Sequence, residues 1–301
     1  MNKNLIERYI WIVDTLTKYE RLTREQLNNL WMRSRLSNGN PLAERTFFHY
    51  RRAIEDVFNL EIACNTRGEY YISDQGAGRG KGFTNWLLDS FAVGNALTDT
   101  SALSGRIEVE DVPSAREFLP VITEAMANNR QISFTYAGFN RSRAESDIVF
   151  SPYFLKRYKQ RWYVLGEKVK AKSLKTYALD RIKAMKILDS HFEIPEGLDS
   201  SEVFGSIIGI TSSKADAHTV RLRVSRTQAK YLRALPLHKS QTEELVADDY
   251  SIFSYRLKLN YELVHEIMAM GDGVKVLAPK ELELMIINEL SNALAQYQQE
   301  S

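Results

Sequence analysis

Cysteine is almost missing from this chain: Cys64 stands alone among 301 residues. No disulfide can close within one copy, and a cysteine-based zinc cluster cannot form. No run of about 18 uncharged apolar residues occurs, so no membrane-spanning helix is expected. The opening residues, MNKNLIERYIWIVDTL, are interrupted by Glu7 and Asp14 and lack a signal-peptide pattern. Together these absences point to a reducing cytoplasm as the expected compartment. Catalytic constellations are scarce as well. The five histidines, at 49, 191, 218, 238 and 265, form no His-x-x-x-His pair, and no Gly-x-Ser-x-Gly elbow exists. We therefore expect no catalytic residue, no metal site, no cofactor and no enzyme activity. The four glycines of DQGAGRGKG, residues 74–82, are not followed by the Lys-Ser/Thr pair of a phosphate-binding loop and read as a linker.

A large net charge is also missing: 40 basic residues oppose 38 acidic ones, leaving +2. That balance hides an uneven distribution. Residues 1–52 hold ten Lys/Arg and five Asp/Glu, a local +5. Residues 156–186 hold eleven against two, a local +9, and residues 240–301 hold four against eleven, a local −7. Two basic segments in one chain attract polyanions, with an affinity that falls as salt rises.

Within the first basic segment, Leu5, Ile6, Tyr9, Ile10, Ile12, Val13, Leu16 and Tyr19 recur at helical spacing and predict a first helix. Thr23-Arg24-Glu25-Gln26 is a capping box that should start a second helix. Ser37-Asn38-Gly39-Asn40-Pro41 should end that element. A third helix is predicted over 43–58 with Phe47, Phe48, Ile54 and Val57 inward. LEIACN and EYYIS then form a hairpin around Thr66-Arg67-Gly68, with Cys64 packed inside its strand. Three helices and a hairpin over residues 1–75 describe a winged helix-turn-helix. In that motif the third helix enters the major groove, which makes Arg45, Thr46, His49, Tyr50 and Arg52 candidate DNA contacts and Arg67 a backbone contact from the hairpin.

Residues 76–129 read as linker and connecting helices. From Gln131 the period changes to two, and QISFTYAG, VFSPYFLKRY, RWYVLGEKV, LKTYALDRI and AMKILD give five β-prone segments, the pattern of a small barrel or a strongly bent sheet over 130–190. Alternation sends Arg161 and Tyr163 to one face of their strand and Trp162 and Val164 to the other, Trp162 toward the core. Ser151, Tyr153, Lys156 and Arg181 add polar groups, aromatic faces and cations nearby in sequence. Bases stack on aromatics and phosphates pair with Arg or Lys, so Ser151, Tyr153, Lys156, Arg161, Tyr163 and Arg181 form a candidate effector set. Asp180 reads as a local ion-pair partner of Arg181. Residues 191–301 alternate as β-α-β-α-β-α, a separate α/β module, with Glu243-Glu244 and Asp248-Asp249 in a solvated loop.

Three short motifs in the second basic segment are more specific. Ser151-Pro152-Tyr153, then Arg161-Trp162-Tyr163-Val164-Leu165, then Leu179-Asp180-Arg181-Ile182 resemble the WYL domain, with Val164 standing where the name has Leu. The C-terminal module, with Gly271-Asp272-Gly273-Val274-Lys275-Val276-Leu277-Ala278-Pro279, resembles the extension called WCX. The resemblance implies an α+β multidomain chain: winged helix-turn-helix, helical linker, Sm- or SH3-like β-barrel, C-terminal α/β module. It implies a homodimeric, ligand-responsive regulator that binds a double-stranded DNA operator, and a barrel that senses a nucleotide or single-stranded nucleic-acid effector. Chains of this layout resemble repressors of bacterial phage-defence operons. The alternative is a nucleic-acid-binding accessory subunit that modulates a partner enzyme.

Overall fold

The computed structural model describes residues 3–58, 60–73, 115–139, 143–211 and 215–298, with single positions at 90, 106, 108, 110, 112 and 113. The linker expected over 74–82, most of the helix expected from residue 83 and the side chain of Val57 lie outside them. The chain divides into two units, Met1–Glu110 and Asp111–Ser301.

The first unit begins with α1 (Lys3–Tyr19), whose Tyr9, Ile12, Val13 and Leu16 are buried at i, i+3, i+4 and i+7. A two-residue strand, β1 (Leu22–Thr23), leads into α2 (Arg24–Met32) through the expected capping box. Gln26 N–H donates to Thr23 Oγ1 at 3.3 Å, and Thr23 N–H donates to Gln26 Oε1 at 2.9 Å. α3 (Glu44–Phe58), β2 (Glu61–Cys64) and β3 (Glu69–Ser73) complete the unit, and the antiparallel sheet runs β1-β3-β2. Asn65 Oδ1 accepts the N–H groups of Arg67 and Glu69 at 2.9 and 3.0 Å and so closes the hairpin, where Gly68 takes φ +75°.

Two side chains depart from the expectation. Phe47 and Ile54 fill the core between α1, α2 and the sheet, but Phe48 turns outward and is 39% exposed. Cys64 is exposed, because Ile62 is the inward residue of β2 and Cys64 lies at the strand's open end.

The second unit opens with a 3-10 turn, Arg116–Phe118, and α4 (Leu119–Ala127). Five antiparallel strands follow: β4 (Arg130–Tyr136), β5 (Glu145–Tyr158), β6 (Arg161–Lys168), β7 (Ser173–Ala178) and β8 (Ile182–His191). Their order is β7-β6-β5-β4-β8, and among the described residues no pairing joins the two edges, so the expected barrel is an open sheet. Bulges between Phe134 and Tyr136 and between Pro152 and Phe154 bend the strands. Opposite Pro152, a Cβ on Gly166 would come within 1.9 Å of the Ser151 carbonyl oxygen, so only glycine fits that bend. Phe134, Phe150 and Tyr177 meet edge to face, 5.1 to 5.8 Å apart, over Val164 and Leu179.

After α5 (Ser200–Phe204), the chain builds β9 (His218–Ser225), α6 (Arg226–Ala234), β10 (Thr242–Val246), β11 (Tyr250–Leu257), α7 (Tyr261–Met268), β12 (Val274–Ala278) and α8 (Lys280–Gln298). The sheet order β10-β11-β9-β12 is that of a split βαβ module. β10 was expected as a loop. Its acids are instead paired: Glu243 accepts from Arg233 of α6 at 2.6 Å and Glu244 from Arg221 of β9 at 2.8 Å.

The strap between α5 and β9 is gripped from both sides. Asn260 Nδ2 donates to the Ile208 and Thr211 carbonyls at 2.8 and 3.0 Å, and Glu262 Oε1 accepts the N–H groups of Ile210 and Thr211 at 3.1 and 3.0 Å. From the five-stranded sheet, the Lys156 amine donates to the Gly209 carbonyl. Tyr158 donates to Glu266 at 3.1 Å and Lys159 pairs with it at 2.8 Å. Among the described residues no helix is long and apolar enough to cross a membrane.

Candidate nucleic-acid and effector sites

In the first unit the site rests on how α2 aims α3. Arg24 Nη2 donates to the Leu42 carbonyl at 2.5 Å and lies 4.7 Å from the Phe47 ring. Asn28 Oδ1 accepts from Leu42 N–H at 2.8 Å, and Trp31 Nε1 donates to the Asn40 carbonyl at 3.0 Å. Three α2 side chains therefore hold the segment that enters α3. None was singled out in the sequence, because the contacts cross a turn whose path only the fold reveals. Burial pulls the Arg24 guanidinium below its ordinary value, with Tyr70 and Glu44 opposing.

Arg45, Phe48, His49 and Arg52 are exposed at i, i+3, i+4 and i+7, one outward stripe of α3. Thr46 borders it, half-buried. Arg67 is exposed at the hairpin turn. Tyr50 does not join the stripe: it is buried against Tyr9, and its hydroxyl accepts from Arg8 at 2.8 Å. Arg51 turns aside to Glu55 at 3.1 Å.

In the second unit the structure gathers Arg161, Tyr163 and Arg181, and adds Tyr136, Phe139 and Asp180. Arg161 pairs with Asp180, which sits 19 positions away, rather than Asp180 pairing with its neighbour Arg181. Burial pulls the Arg161 guanidinium down, but the Asp180 bond together with Tyr163 and Asp180 charge carries it above its ordinary value. Its guanidinium lies 5.9 Å from the Tyr163 ring, while that of Arg181 stacks 3.6 Å from the exposed Phe139 ring. Tyr163 is itself buried, and burial raises its hydroxyl. The alternation expected of β6 places Arg161 beside Tyr163 and turns Trp162 and Val164 to the core, but both faces of the strand are covered, and Trp162 is half-buried. Three polar atoms of this cluster, Arg161 Nε, Asp180 Oδ1 and Arg181 Nε, are buried with no hydrogen-bond partner.

The other members of the sequence-derived set are occupied within the fold. Ser151 Oγ is buried and accepts from Gln131 Nε2 at 3.2 Å. Tyr153 is buried and donates to Glu167 at 3.2 Å, and burial with the Glu167 charge pushes its hydroxyl up to about 12. Lys156 lies opposite Tyr163 in the β5–β6 ladder, yet its amine leaves toward Gly209 and the Phe204 ring, 4.4 Å away. Tyr136 could have been found from the alternation of β4, which puts it on the face of Phe134. It packs 4.8 Å from Tyr177. Phe139 carried no signal.

Residues 117–187 match the family model of the WYL domain, and residues 216–294 match that of the WCX domain. Among solved structures, the chain is similar to proteasome accessory factor B/C (PafBC) of Arthrobacter aurescens, with 18% identity and a TM-score of 0.36 over 96% of this chain and 46% of that one. It is also similar to a CRISPR Cas-related protein, with 15% identity and a TM-score of 0.24 over 62% of this chain and 56% of that one. The chain thus spans about half the length of each. No curated protein matches it.

Proposed function

We propose that this chain, with a WYL domain matched over residues 117–187 and a WCX domain over 216–294, is a DNA-binding transcriptional regulator controlled by an effector. The first unit acts as a winged helix-turn-helix. Arg45, Thr46, His49 and Arg52 on α3 face the major groove of an operator, and Arg67 reaches its backbone from the hairpin. The effector site is the cluster of Arg161, Asp180 and Arg181 with Tyr136 and Phe139 around it.

One observation carries the effector reading: two guanidinium N–H donors and one carboxylate acceptor are buried together without partners. Burying such atoms unpaired costs about 1–3 kcal/mol each, and a bound ligand relieves it. Two donors suit a phosphate, one acceptor suits a base N–H or a sugar hydroxyl, and the exposed Phe139 ring offers a stacking face. A nucleotide or a short single strand supplies all three. The regulator acts as a homodimer and a repressor, the two-fold axis setting two recognition helices one turn of DNA apart or a multiple of it.

The test is to sequence the genomic fragments that co-purify with the protein and to measure binding to them at physiological salt. A recurrent motif bound more tightly than random duplex supports the regulator. Equal affinity for any duplex or RNA removes it in favour of an accessory nucleic-acid-binding subunit.

A further inference from the structure

The outward stripe of α3 is not purely polar. Phe48 sits between Arg45 and Arg52, one turn from each end of the stripe and beside His49, and it is exposed although Phe47 next to it is fully buried. The two rings lie 5.8 Å apart and tilted, so Phe48 is propped on the core by its neighbour. The ring thus rests on Phe47 with one face open to solvent, an apolar surface between two cations. It is also the fifth residue of α3, in the N-terminal half that approaches base edges in this type of motif.

In the major groove all four bases offer polar atoms, and thymine alone adds a methyl group, the largest apolar feature on any base edge there. An apolar ring flanked by cations has one base edge to match. Resting on the DNA-binding reading above, we propose that Phe48 is a specificity-determining residue that packs on a thymine methyl group, while Arg45 and Arg52 bind guanine edges or phosphates on either side. The operator then carries a thymine at one fixed place in each half-site, and Phe48 reads it through shape rather than hydrogen bonding.

The experiment uses the full-length protein and a duplex that the wild type selects from a random pool. Each thymine of that duplex is replaced in turn by deoxyuridine, which removes only the methyl group, and binding is measured for wild type and for Phe48→Ala. The expected result is one position per half-site where the wild type loses about fourfold in affinity, the value for uncovering a single methyl group, while Phe48→Ala shows no loss there. Selection of a clear motif with no methyl-sensitive position for the wild type overturns the role of Phe48 and leaves DNA reading intact. A methyl-sensitive position that Phe48→Ala retains assigns the contact elsewhere and equally overturns it. Selection that yields no motif removes sequence reading altogether, and this inference with it. A wild-type scan without a methyl-sensitive position overturns the role of Phe48 by itself; where Phe48→Ala is unstable, Phe48→Gln, which keeps a side chain of similar reach but is polar at its tip, takes its place, and the same two outcomes apply.

Discussion

At the scale of single residues, Lys156 shows what the fold charges for a joint. Its amine donates to the Gly209 carbonyl, and burial lowers it from 10.5 to about 8, with Glu262 opposing and Lys239 reinforcing that shift. Below about pH 8 both folded and unfolded chains carry the proton, so the whole cost of burying the charge is present. Between about 8 and 10.5 the unfolded chain still holds the proton that the folded chain has released, and stability rises with pH. Replacing Lys156 with Met keeps the stem against Phe204 and removes the charge. The variant is expected to be more stable by about 1–3 kcal/mol at pH 7, after allowance for partial solvent screening. That gain should close toward pH 10.5, as read by thermal unfolding across the range. A gain that does not change with pH would place the cause in packing. Gly166 is the opposite case, a residue defined by what it lacks. Gly166→Ala drives a methyl into the Ser151 carbonyl and should cost about 1–3 kcal/mol or more.

At the scale of elements, α8 is the helix the fold leaves incomplete. Leu282 is buried and Met285 and Ile286 pack on the core, but Ile287, Leu290, Leu294 and Tyr297 are about half or more exposed at steps of three, four and three. That spacing is the seam of a two-helix coiled coil. Residues 290–298, LSNALAQYQ, carry no charge to repel an identical helix. This supports the proposed homodimer and would place α8 against α8 of a second copy. Leu290→Glu with Leu294→Glu should turn a dimer into a monomer by light scattering while leaving the melting temperature of the monomer fold unchanged, since both side chains are exposed; persistence of the dimer would move the interface elsewhere.

Most of the described helices and strands were legible because their signals are local: the period of Tyr9, Ile12, Val13 and Leu16, the Thr23 capping box, the Asn65–Gly68 turn, the alternation from Gln131. What stayed hidden is tertiary. β10 reads as a loop since Thr242-Glu243-Glu244 has weak strand propensity, and it is Arg233 of α6 and Arg221 of β9 that make those acids good strand residues. The barrel remained a bent open sheet because edge closure is not encoded in any one strand. Of the candidate DNA stripe, Arg45, His49 and Arg52 follow from helical spacing, whereas the exchange of Phe48 for Tyr50 depends on Arg8 and Tyr9 of α1. Of the effector cluster, Arg161 and Arg181 were visible as cations near aromatics, but the pairing of Arg161 with Asp180 depends on strand register.

At the scale of the whole molecule, the α3 stripe and the Arg161–Asp180–Arg181 cluster belong to different units, so the proposed regulation is a matter of coupled equilibria. An effector changes operator affinity only if it binds the DNA-competent and DNA-incompetent forms unequally. The coupling is reciprocal: the factor by which effector changes operator affinity equals the factor by which operator changes effector affinity. With an effector found by screening nucleotides and short single strands, titrating each ligand in the presence and absence of the other should return the same factor, expected at about 5–150-fold. Arg181→Ala should erase it, because the variant removes one donor and the Phe139 stack from the effector face. Its affinity for the operator alone should stay within about twofold, since nothing on α3 changes. Two unequal factors would mean that more than one effector molecule, or a change of oligomeric state, enters the cycle. Loss of operator affinity in Arg181→Ala to the same degree as loss of response would show that this basic cluster grips the DNA itself, and would turn the effector site into a second part of the operator interface.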